Sequence, residues 1–147
     1  DEIGWTSRLD SIQAAFLSIK LKFLDELNRE RRAVAELYHK KLAGTPLGLP
    51  RETAGAYHVY HLYVIRVPDG KRDALKIHLA SEGIPSMVHY ATPVDAQPFI
   101  KKCKTRKVKL PVTEKLRREV LTLPLFPGMT GPEVDAVAQS IRRFYKI

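Results

Sequence analysis

The longest regular pattern in the chain covers residues 8–42, a stretch that contains neither glycine nor proline. Its apolar residues recur at steps of three and four: Leu9, Ile12, Phe16, Ile19, Phe23 and Leu27, then Val34, Leu37, Tyr38 and Leu42. This period predicts one long amphipathic helix of roughly 50 Å. Ser7 and Asp10 fit a capping box, which predicts Ser7 as the N-cap, and Gly44 marks the end of the helix.

The first half of this predicted helix is the more apolar half, and the helix is longer than a domain of this size is wide. We therefore expect its early apolar face to be poorly covered by the rest of the chain. Either a part of the protein outside these residues or a second subunit would cover it, because a large exposed apolar patch drives association.

The middle of the chain predicts a strand, a helix and a second strand. Residues 57–67 are rich in aromatic and β-branched side chains on both faces, which is typical of a central strand. A helix is predicted over 71–82, with Asp69 as its N-cap and a stop at Gly83. Residues 85–90 predict the second strand, paired in parallel with the first or separated from it by another strand.

The last third of the chain predicts a short helix over 113–118 capped by Thr113, a third strand over 120–125, and a final helix. Thr130 and Glu133 form the capping box of that final helix. Together the patterns predict an α+β fold: a long linking helix over residues 1–45, then a small two-layer α/β sandwich over 46–147. About three strands would have helices on one face.

Composition narrows the functional classes. The 147 residues fit one globular domain, no apolar run is long enough to cross a membrane, and the single Cys103 agrees with a reducing cytoplasm. The net charge of +9 favours either a solvated basic surface or an anionic partner. The densest basic run, residues 101–109, has no interleaved aromatic residues, which argues against nucleic-acid binding. The chain begins at Asp1, and we expect it to be a fragment.

Two short stretches carry candidate chemistry. Residues 4–10 place Arg8 at a helix N-terminus, which suits an anion, although simple capping explains the stretch equally well. Residues 89–95 place His89, Tyr90 and Asp95 at the end of a predicted strand, where sites often lie, although an ordinary turn is the alternative. His58 and His61 point to opposite faces of the predicted strand and are interpreted as packing residues, so no metal site is predicted.

Four segments resemble the C-terminal part of the DegT/DnrJ/StrS family of pyridoxal-phosphate-dependent sugar aminotransferases. They are GWTSRLDSIQAAFLSIKLKFLDELNRERRAVAELYHKKL, YHLYVIRV, RDALKIHLASEGIPSMVHYATPV and PVTEKLRREVLTLPLFPGMT, the last followed by a helix. They occur in the family's order and cover nearly the whole chain. The resemblance implies a fold type I, aspartate-aminotransferase-like enzyme whose large cofactor domain and aldimine lysine lie upstream of Asp1. It implies no catalytic residue in these 147 residues, so the fragment alone is expected to be inactive.

The resemblance also implies roles for individual residues. Thr6 and Arg8 would contact the cofactor phosphate in trans, in the partner subunit of a homodimer, and His89, Tyr90 and Asp95 would border the sugar substrate. Thr6 stands where the family usually has asparagine in G-x-N-x-R. Asp95 stands where it commonly has the last histidine of H-Y-x-x-P-x-H.

The function implied is transfer of an amino group to a nucleotide-linked keto-sugar, with glutamate as donor and 2-oxoglutarate as product, in sugar, cell-surface polysaccharide or antibiotic biosynthesis. Three alternatives stay open. The protein could be a sugar dehydratase of the same family, a stand-alone basic module that binds nucleic acid or anions, or a dimerisation domain built on the long helix.

Overall fold

The computed structural model describes residues 9–103 and 108–147. Six α-helices and two strands occur in this part of the chain. In chain order they are α1 (Ser11–Leu21), α2 (Leu24–Lys41), β1 (Tyr63–Arg66), α3 (Arg72–Ser81), α4 (Pro98–Lys102), α5 (Pro111–Glu119), β2 (Val120–Leu123) and α6 (Gly131–Tyr145), with a 3-10 turn at Val94–Ala96 before α4. A mixed helix and strand fold is confirmed.

The predicted single long helix is two helices. Around Lys22 and Phe23 the backbone N–H groups donate to the carbonyls of Ile19 and Lys20, three residues back. These shorter bonds tighten the turn, and they separate α1 from α2 although neither glycine nor proline is present.

The start of α1 also differs from the prediction. Asp10, and not Ser7, is the N-cap, because its carboxylate accepts from the N–H of Ile12 at 2.9 Å. The side chain of Gln13 accepts from the N–H of Asp10 in return. The helix therefore begins at Ser11, and Ser7 lies outside the described residues.

The sheet has two strands in the described residues, and not the predicted three. β1 and β2 pair antiparallel, with Tyr63 opposite Leu123 and Arg66 opposite Val120. One isolated bridge forms on each outer edge of this sheet. Gly48 pairs with Arg66 of β1, and Met87 pairs with Thr122 of β2. The predicted strand over 85–90 is thus reduced to one bridge at Met87. β2 lies between Met87 and β1, so the first and second predicted strands are separated by another strand, which was one of the two predicted arrangements.

The predicted strand over 57–67 is also too long, since β1 covers Tyr63–Arg66. Tyr60 adopts a φ of 47°, in the left-handed region, which interrupts an extended backbone. His58 accepts from the N–H of Tyr60 through Nδ1, at 2.9 Å, and its ring lies 4.2 Å from that of Tyr60. His58 and His61 therefore lie in a loop and are exposed, and their interpretation as strand-packing residues is wrong.

Two of the predicted N-caps are replaced by neighbouring residues. α3 follows Lys71 and not Asp69, which instead has a φ of 60° in the turn before the helix. α5 follows Leu110 with Pro111 in its first turn, so Thr113 lies inside the helix.

Two other predicted helix ends are confirmed. After α3 the N–H of Ile84 donates to the carbonyl of Leu79 at 2.9 Å, with Gly83 at a φ of 74°, which is a Schellman stop. Before α6 the carboxylate of Glu133 accepts from the N–H of Thr130 at 2.7 Å, which forms the capping box.

The core lies between one face of the sheet and the helices α2, α3 and α6. Tyr63 and Ile65 of β1 are fully buried, and so are Tyr38 of α2 and Ile141 of α6. The rings of Tyr38 and Tyr63 stack with centroids 4.8 Å apart, and the Tyr38 hydroxyl donates to the carbonyl of Pro124 at 2.8 Å. Burial raises the pKa of both tyrosines far above the usual value.

The early apolar face is uncovered, as predicted. No residue of α1 is buried. The side chains of Leu9, Ile12, Phe16, Ile19 and Phe23 are between 53% and 68% exposed within the described part of the chain.

Candidate functional site

The candidate site lies on the face of the sheet away from the core. Because side chains alternate along a strand, Leu121 and Leu123 of β2 point into the core and Thr122 points to the opposite face. Thr122 is nevertheless only 6% exposed, and its backbone exchanges two hydrogen bonds with Met87. These two bonds hold the segment around Met87, which leads into the site, beside the centre of β2.

His89 is the best anchored side chain of the site. Its Nδ1 lies 2.9 Å from the hydroxyl Oγ1 of Thr122, and its ring is half-buried. The bond engages Nδ1, which leaves Nε2 as the ring nitrogen that can meet a ligand. The ring of Tyr90 stands edge-on to that of His89, with centroids 5.4 Å apart.

His89 borders a groove of about 940 Å³, called the His89 groove below. Tyr90 and Asp95, the other two predicted substrate residues, line the same groove. The segment is a turn and not a strand after Met87, so both His89 and Tyr90 can face the groove, which strict alternation would have prevented. Asp95 comes from the exposed 3-10 turn Val94–Ala96. The structure thus brings the three residues together, and their role in substrate binding stays a prediction.

The opposite wall of the His89 groove comes from α5 and the start of β2. Thr113, Leu116, Arg117 and Val120 line it, at helical steps of three and four along α5. Arg117 is the only arginine among the described lining residues, and its Nε lies 2.9 Å from a carboxylate oxygen of Glu114. The groove therefore has a cation on one wall and an imidazole, a phenol and a carboxylate on the other.

Sequence reasoning missed Arg117 and Thr122. The helical spacing of 113, 116, 117 and 120 was a usable signal for Arg117, because it predicts one helix face that carries a guanidinium beside apolar residues. Thr122 gave no such signal. Its contact with His89 joins residues 33 positions apart and depends on the pairing of β2 with Met87.

The remaining lining of the His89 groove is largely apolar. It includes Val94, Ile100, Val108 and Leu110, of which Val94 and Val108 are more than 60% exposed. A groove with apolar walls and a few convergent polar groups is typical of small-molecule sites. The same composition suits a ligand that has both a flat ring and charged oxygens.

Thr6 and Arg8, the predicted cofactor contacts, lie outside the described residues. Lys104, Arg106 and Lys107 of the basic run lie outside them as well. Among residues 9–103 and 108–147, no three His, Cys, Asp or Glu side chains come together in a way that could hold a metal ion. Within the same residues no helix is both long enough and apolar enough to span a membrane.

The described lining of the His89 groove offers contacts for a phosphorylated cofactor or substrate. Arg117, His89 and Thr113 supply a cation and hydrogen-bonding groups for phosphate oxygens. No lysine occurs among its described lining residues, so they provide no amine for a Schiff base.

The chain also matches a known protein family over nearly its whole length. The sequence profile of the DegT/DnrJ/EryC1/StrS aminotransferase family matches residues 1–142.

Two curated relatives are similar over nearly the whole chain. The pleiotropic regulatory protein of Geobacillus stearothermophilus is 39% identical over 147 residues, which are 98% of this chain and 39% of that protein. The dTDP-3-amino-3,6-dideoxy-alpha-D-galactopyranose transaminase of Aneurinibacillus thermoaerophilus is 36% identical over 141 residues, which are 96% of this chain and 38% of that protein. The chain thus spans about two fifths of the length of these relatives.

Solved structures of similar proteins share the fold. DesV of S. venezuelae, in complex with a ketimine intermediate, superposes with a TM-score of 0.87 at 36% identity, over 100% of this chain and 39% of that chain. The ntda protein of Bacillus subtilis, with bound cofactor PMP, gives a TM-score of 0.84 at 29% identity, over 100% of this chain and 35% of that chain.

Proposed function

This chain belongs to the DegT/DnrJ/EryC1/StrS aminotransferase family, and we propose that it forms the substrate-binding part of a pyridoxal-phosphate-dependent enzyme. The complete protein would transfer an amino group from glutamate to a nucleotide-linked keto-sugar. A relative whose name states a dTDP-linked sugar transaminase supports the substrate class. A similar structure that contains PMP supports the cofactor. We further propose a cytoplasmic homodimer.

The single observation that carries the proposal is the His89 groove. It joins a fixed imidazole, an exposed phenol, a carboxylate and a wall arginine, itself paired with Glu114, with apolar residues on one open surface. A nucleotide-linked sugar has matching parts: a flat base, a charged diphosphate and a sugar with hydroxyl groups.

Each lining residue has a proposed role that follows from its chemistry. Arg117 is a permanent cation whose planar fork suits two oxygens of a diphosphate. His89 would present Nε2 to the substrate, since Thr122 holds Nδ1. Asp95 would accept hydrogen bonds from sugar hydroxyls, and Tyr90 would pack its ring on the sugar or the base and exclude water from that face.

The cofactor contacts of this chain would be Thr6 and Arg8. We propose that they reach the cofactor phosphate of the partner subunit, where the Arg8 guanidinium and the Thr6 hydroxyl would each contact a phosphate oxygen. Pyridoxal phosphate, when bound, supplies the electron sink for amino transfer. The residues of this chain would bind and orient the substrate and the cofactor phosphate.

The substrate proposal is tested with the complete protein, glutamate and a set of dTDP- and UDP-linked keto-sugars, with the amino-sugar product read by mass spectrometry. Arg117→Gln should raise KM for the nucleotide sugar about tenfold or more, because a charge-assisted bond contributes about 1.5–3 kcal/mol. KM for glutamate should stay unchanged. Arg118→Gln is the matched control, since Arg118 lies on the same helix, near the same Glu114, and is exposed.

Equal kinetic effects of the two arginine substitutions would contradict the assignment of Arg117. A product that has lost an oxygen and gained no nitrogen would identify a dehydratase instead of a transaminase. Failure to convert any nucleotide-linked sugar would overturn the substrate class.

The in-trans proposal is tested by mixing two inactive chains of the complete protein, one with Arg8→Ala and one without the aldimine lysine. If Arg8 acts on the partner's site, one site of each mixed dimer is intact and activity returns. If Arg8 acts on its own subunit, every site has one lesion and the mixture stays inactive.

A further inference from the structure

A second cavity lies at the end of α2, beside the edge of β1 that does not pair with β2. It measures about 730 Å³ and is called the edge cavity below. Two arginines line it, Arg51 and Arg66, together with Gly48. The edge cavity shares none of its lining residues with the His89 groove. Its chemistry is therefore separate from the function proposed above.

The position of the Arg66 side chain depends on a glycine. Gly48 and Arg66 exchange two backbone hydrogen bonds, at 2.9 and 2.8 Å, which hold the two residues side by side. A Cβ on Gly48 would lie 2.8 Å from Nε of Arg66, closer than side-chain atoms normally approach. Only glycine leaves the space in which the guanidinium lies against the backbone. The exposed Arg66 side chain thus lies beside Gly48 at the rim of the edge cavity.

Neither arginine of the edge cavity is neutralised by a neighbouring acid. Other arginines in the described chain face carboxylates, for example Arg32 with Glu52 at 2.6 Å. In residues 9–103 and 108–147, no carboxylate lies within ion-pair distance of Arg51 or Arg66, and no acidic residue lines the cavity. Two uncompensated positive charges therefore border one concave surface.

The end of α2 could oppose an anion here, because the carbonyl groups at a helix C-terminus carry partial negative charge. Three carbonyls at this end or just beyond it already accept hydrogen bonds. Arg142 donates to the carbonyls of Lys41 at 3.1 Å and Ala43 at 2.7 Å, and the Thr45 hydroxyl donates to Leu42 at 2.7 Å. The negative helix end is thus covered by a third arginine, which adds positive charge near the cavity.

The wall that carries Arg51 is also fixed. The ring of His39 on α2 contacts two backbone carbonyls, Nδ1 at 2.7 Å from Ala35 and Nε2 at 2.7 Å from Pro50. Pro50 directly precedes Arg51, so this contact holds the base of the Arg51 side chain against α2. Both arginines of the edge cavity therefore extend from backbone that is tied down.

We propose that the edge cavity is a binding site for the phosphate group of a small molecule, held by Arg51 and Arg66. Guanidinium groups bind phosphate oxygens in a planar, two-point geometry. Two guanidinium groups match the charge of a phosphate dianion better than they match the single charge of a carboxylate ligand. The open cavity leaves room for the rest of a phosphorylated ligand next to Leu47 and Leu49.

The experiment uses the complete protein with its cofactor bound and titrates inorganic phosphate at constant ionic strength. Methyl NMR signals of Leu47 and Leu49 report on the edge cavity. We expect saturable shifts in the low-millimolar range. Arg51→Gln and Arg66→Gln should each weaken binding about tenfold or more, as loss of a charge-assisted bond predicts. Arg29→Gln removes the same charge from an exposed part of α2 and should have no effect.

A second variant separates position from charge. Gly48→Ala keeps every charge but moves the Arg66 guanidinium, so it should weaken phosphate binding while methyl signals remote from the cavity stay in place. Shifts that do not saturate, that follow chloride equally well, or that fall equally with Arg29→Gln would overturn the proposal. Acetate binding as tightly as phosphate would also overturn it, since the site would then not distinguish a phosphate from a monoanionic carboxylate.

Discussion

The two halves of the first long apolar stretch, α1 and α2, differ in how far their side chains are buried. α1, with the sequence SIQAAFLSIKL, contains one charged residue and buries none of its side chains within the described chain. α2, with the sequence LDELNRERRAVAELYHKK, is mostly polar and charged, yet it buries Val34, Ala35 and Tyr38. The more apolar helix is the exposed one. Burial here depends on what packs against a helix and not on how apolar the helix is.

The difference comes from neighbours. α2 packs against α6, and its few apolar residues meet that helix and the inner face of the sheet. No described element covers the apolar face of α1. The pattern of α1 therefore predicts correctly that its apolar face is left uncovered by the rest of the described chain, and it cannot tell which surface would cover that face. Three predictions test this contrast, from the largest expected effect to the smallest.

The first compares two isoleucines in the 147-residue chain. Ile141→Ala in α6 should lower the free energy of unfolding by about 2–5 kcal/mol, because it removes three carbons from a fully buried site and leaves a cavity. Ile12→Ala in α1 should change it by less than about 0.5 kcal/mol, since that side chain is 68% exposed. Urea denaturation at low protein concentration measures both.

A loss with Ile12→Ala as large as that with Ile141→Ala would show that α1 is covered in solution, for example by a second copy of the chain. Repeating the measurement over a range of concentrations would then show whether the effect depends on association.

The second prediction compares the stacked tyrosines inside the buried region. Tyr38→Phe should lower the free energy of unfolding by about 1 kcal/mol, because its hydroxyl donates to the carbonyl of Pro124. Tyr63→Phe should be neutral or stabilising, since the buried Tyr63 hydroxyl has no hydrogen-bond partner in the described residues. Thermal unfolding of the two variants tests the order, and a larger loss with Tyr63→Phe would contradict it.

The third prediction concerns pH and the capping boxes of the two regions. The backbone N–H of Thr130, followed by its hydroxyl, lowers the pKa of Glu133 in the folded state. A carboxyl whose folded pKa lies below its unfolded value of about 4.3 stabilises the fold above that pH. This contribution is lost as the pH falls through the folded pKa.

Glu133→Gln should therefore make unfolding less dependent on pH below about 4.3, as followed by urea denaturation at several pH values. Asp10→Asn, in the capping box of α1, is the matched control. Because α1 packs on no described element, its cap should affect local helix content and not global unfolding. An unchanged pH slope with Glu133→Gln would refute the role given to this cap.

Local signals in the sequence located most helices well. The Thr130 and Glu133 capping box and the Schellman stop at Gly83 form through hydrogen bonds within a few residues, so the sequence alone could predict them. The break at Lys22 and Phe23 could not be predicted, because the apolar period continues through it without a helix-breaking residue.

The strands were predicted less well because a strand needs a partner. In the register of the Gly48 and Arg66 bridge, Pro50 falls opposite Val64, and proline has no N–H to donate to β1 at that position. The bridge therefore does not extend into a further strand on the outer edge of β1. Beyond Met87 the chain turns away from β2, which limits the predicted second strand to one bridge.

The candidate site was predictable only where its residues are close together in the sequence. His89, Tyr90 and Asp95 lie within seven consecutive residues, and the sequence marked that stretch through its chemistry and its family resemblance. Arg117 and Thr122 approach it only because β2 pairs with Met87, a relation between distant segments that no local pattern encodes.

The register of β2 has a genetic consequence. Leu121 and Leu123 face the core and Thr122 faces His89, so one residue inserted or deleted just before β2 would exchange the two faces. Such a change would expose two leucines and also remove the hydroxyl that orients the histidine. Frame-preserving insertions and deletions at this junction should therefore be eliminated by selection for stability even where new substrates are favoured. Diversification of the groove would proceed through point substitutions in α5 and in the turn that carries Asp95.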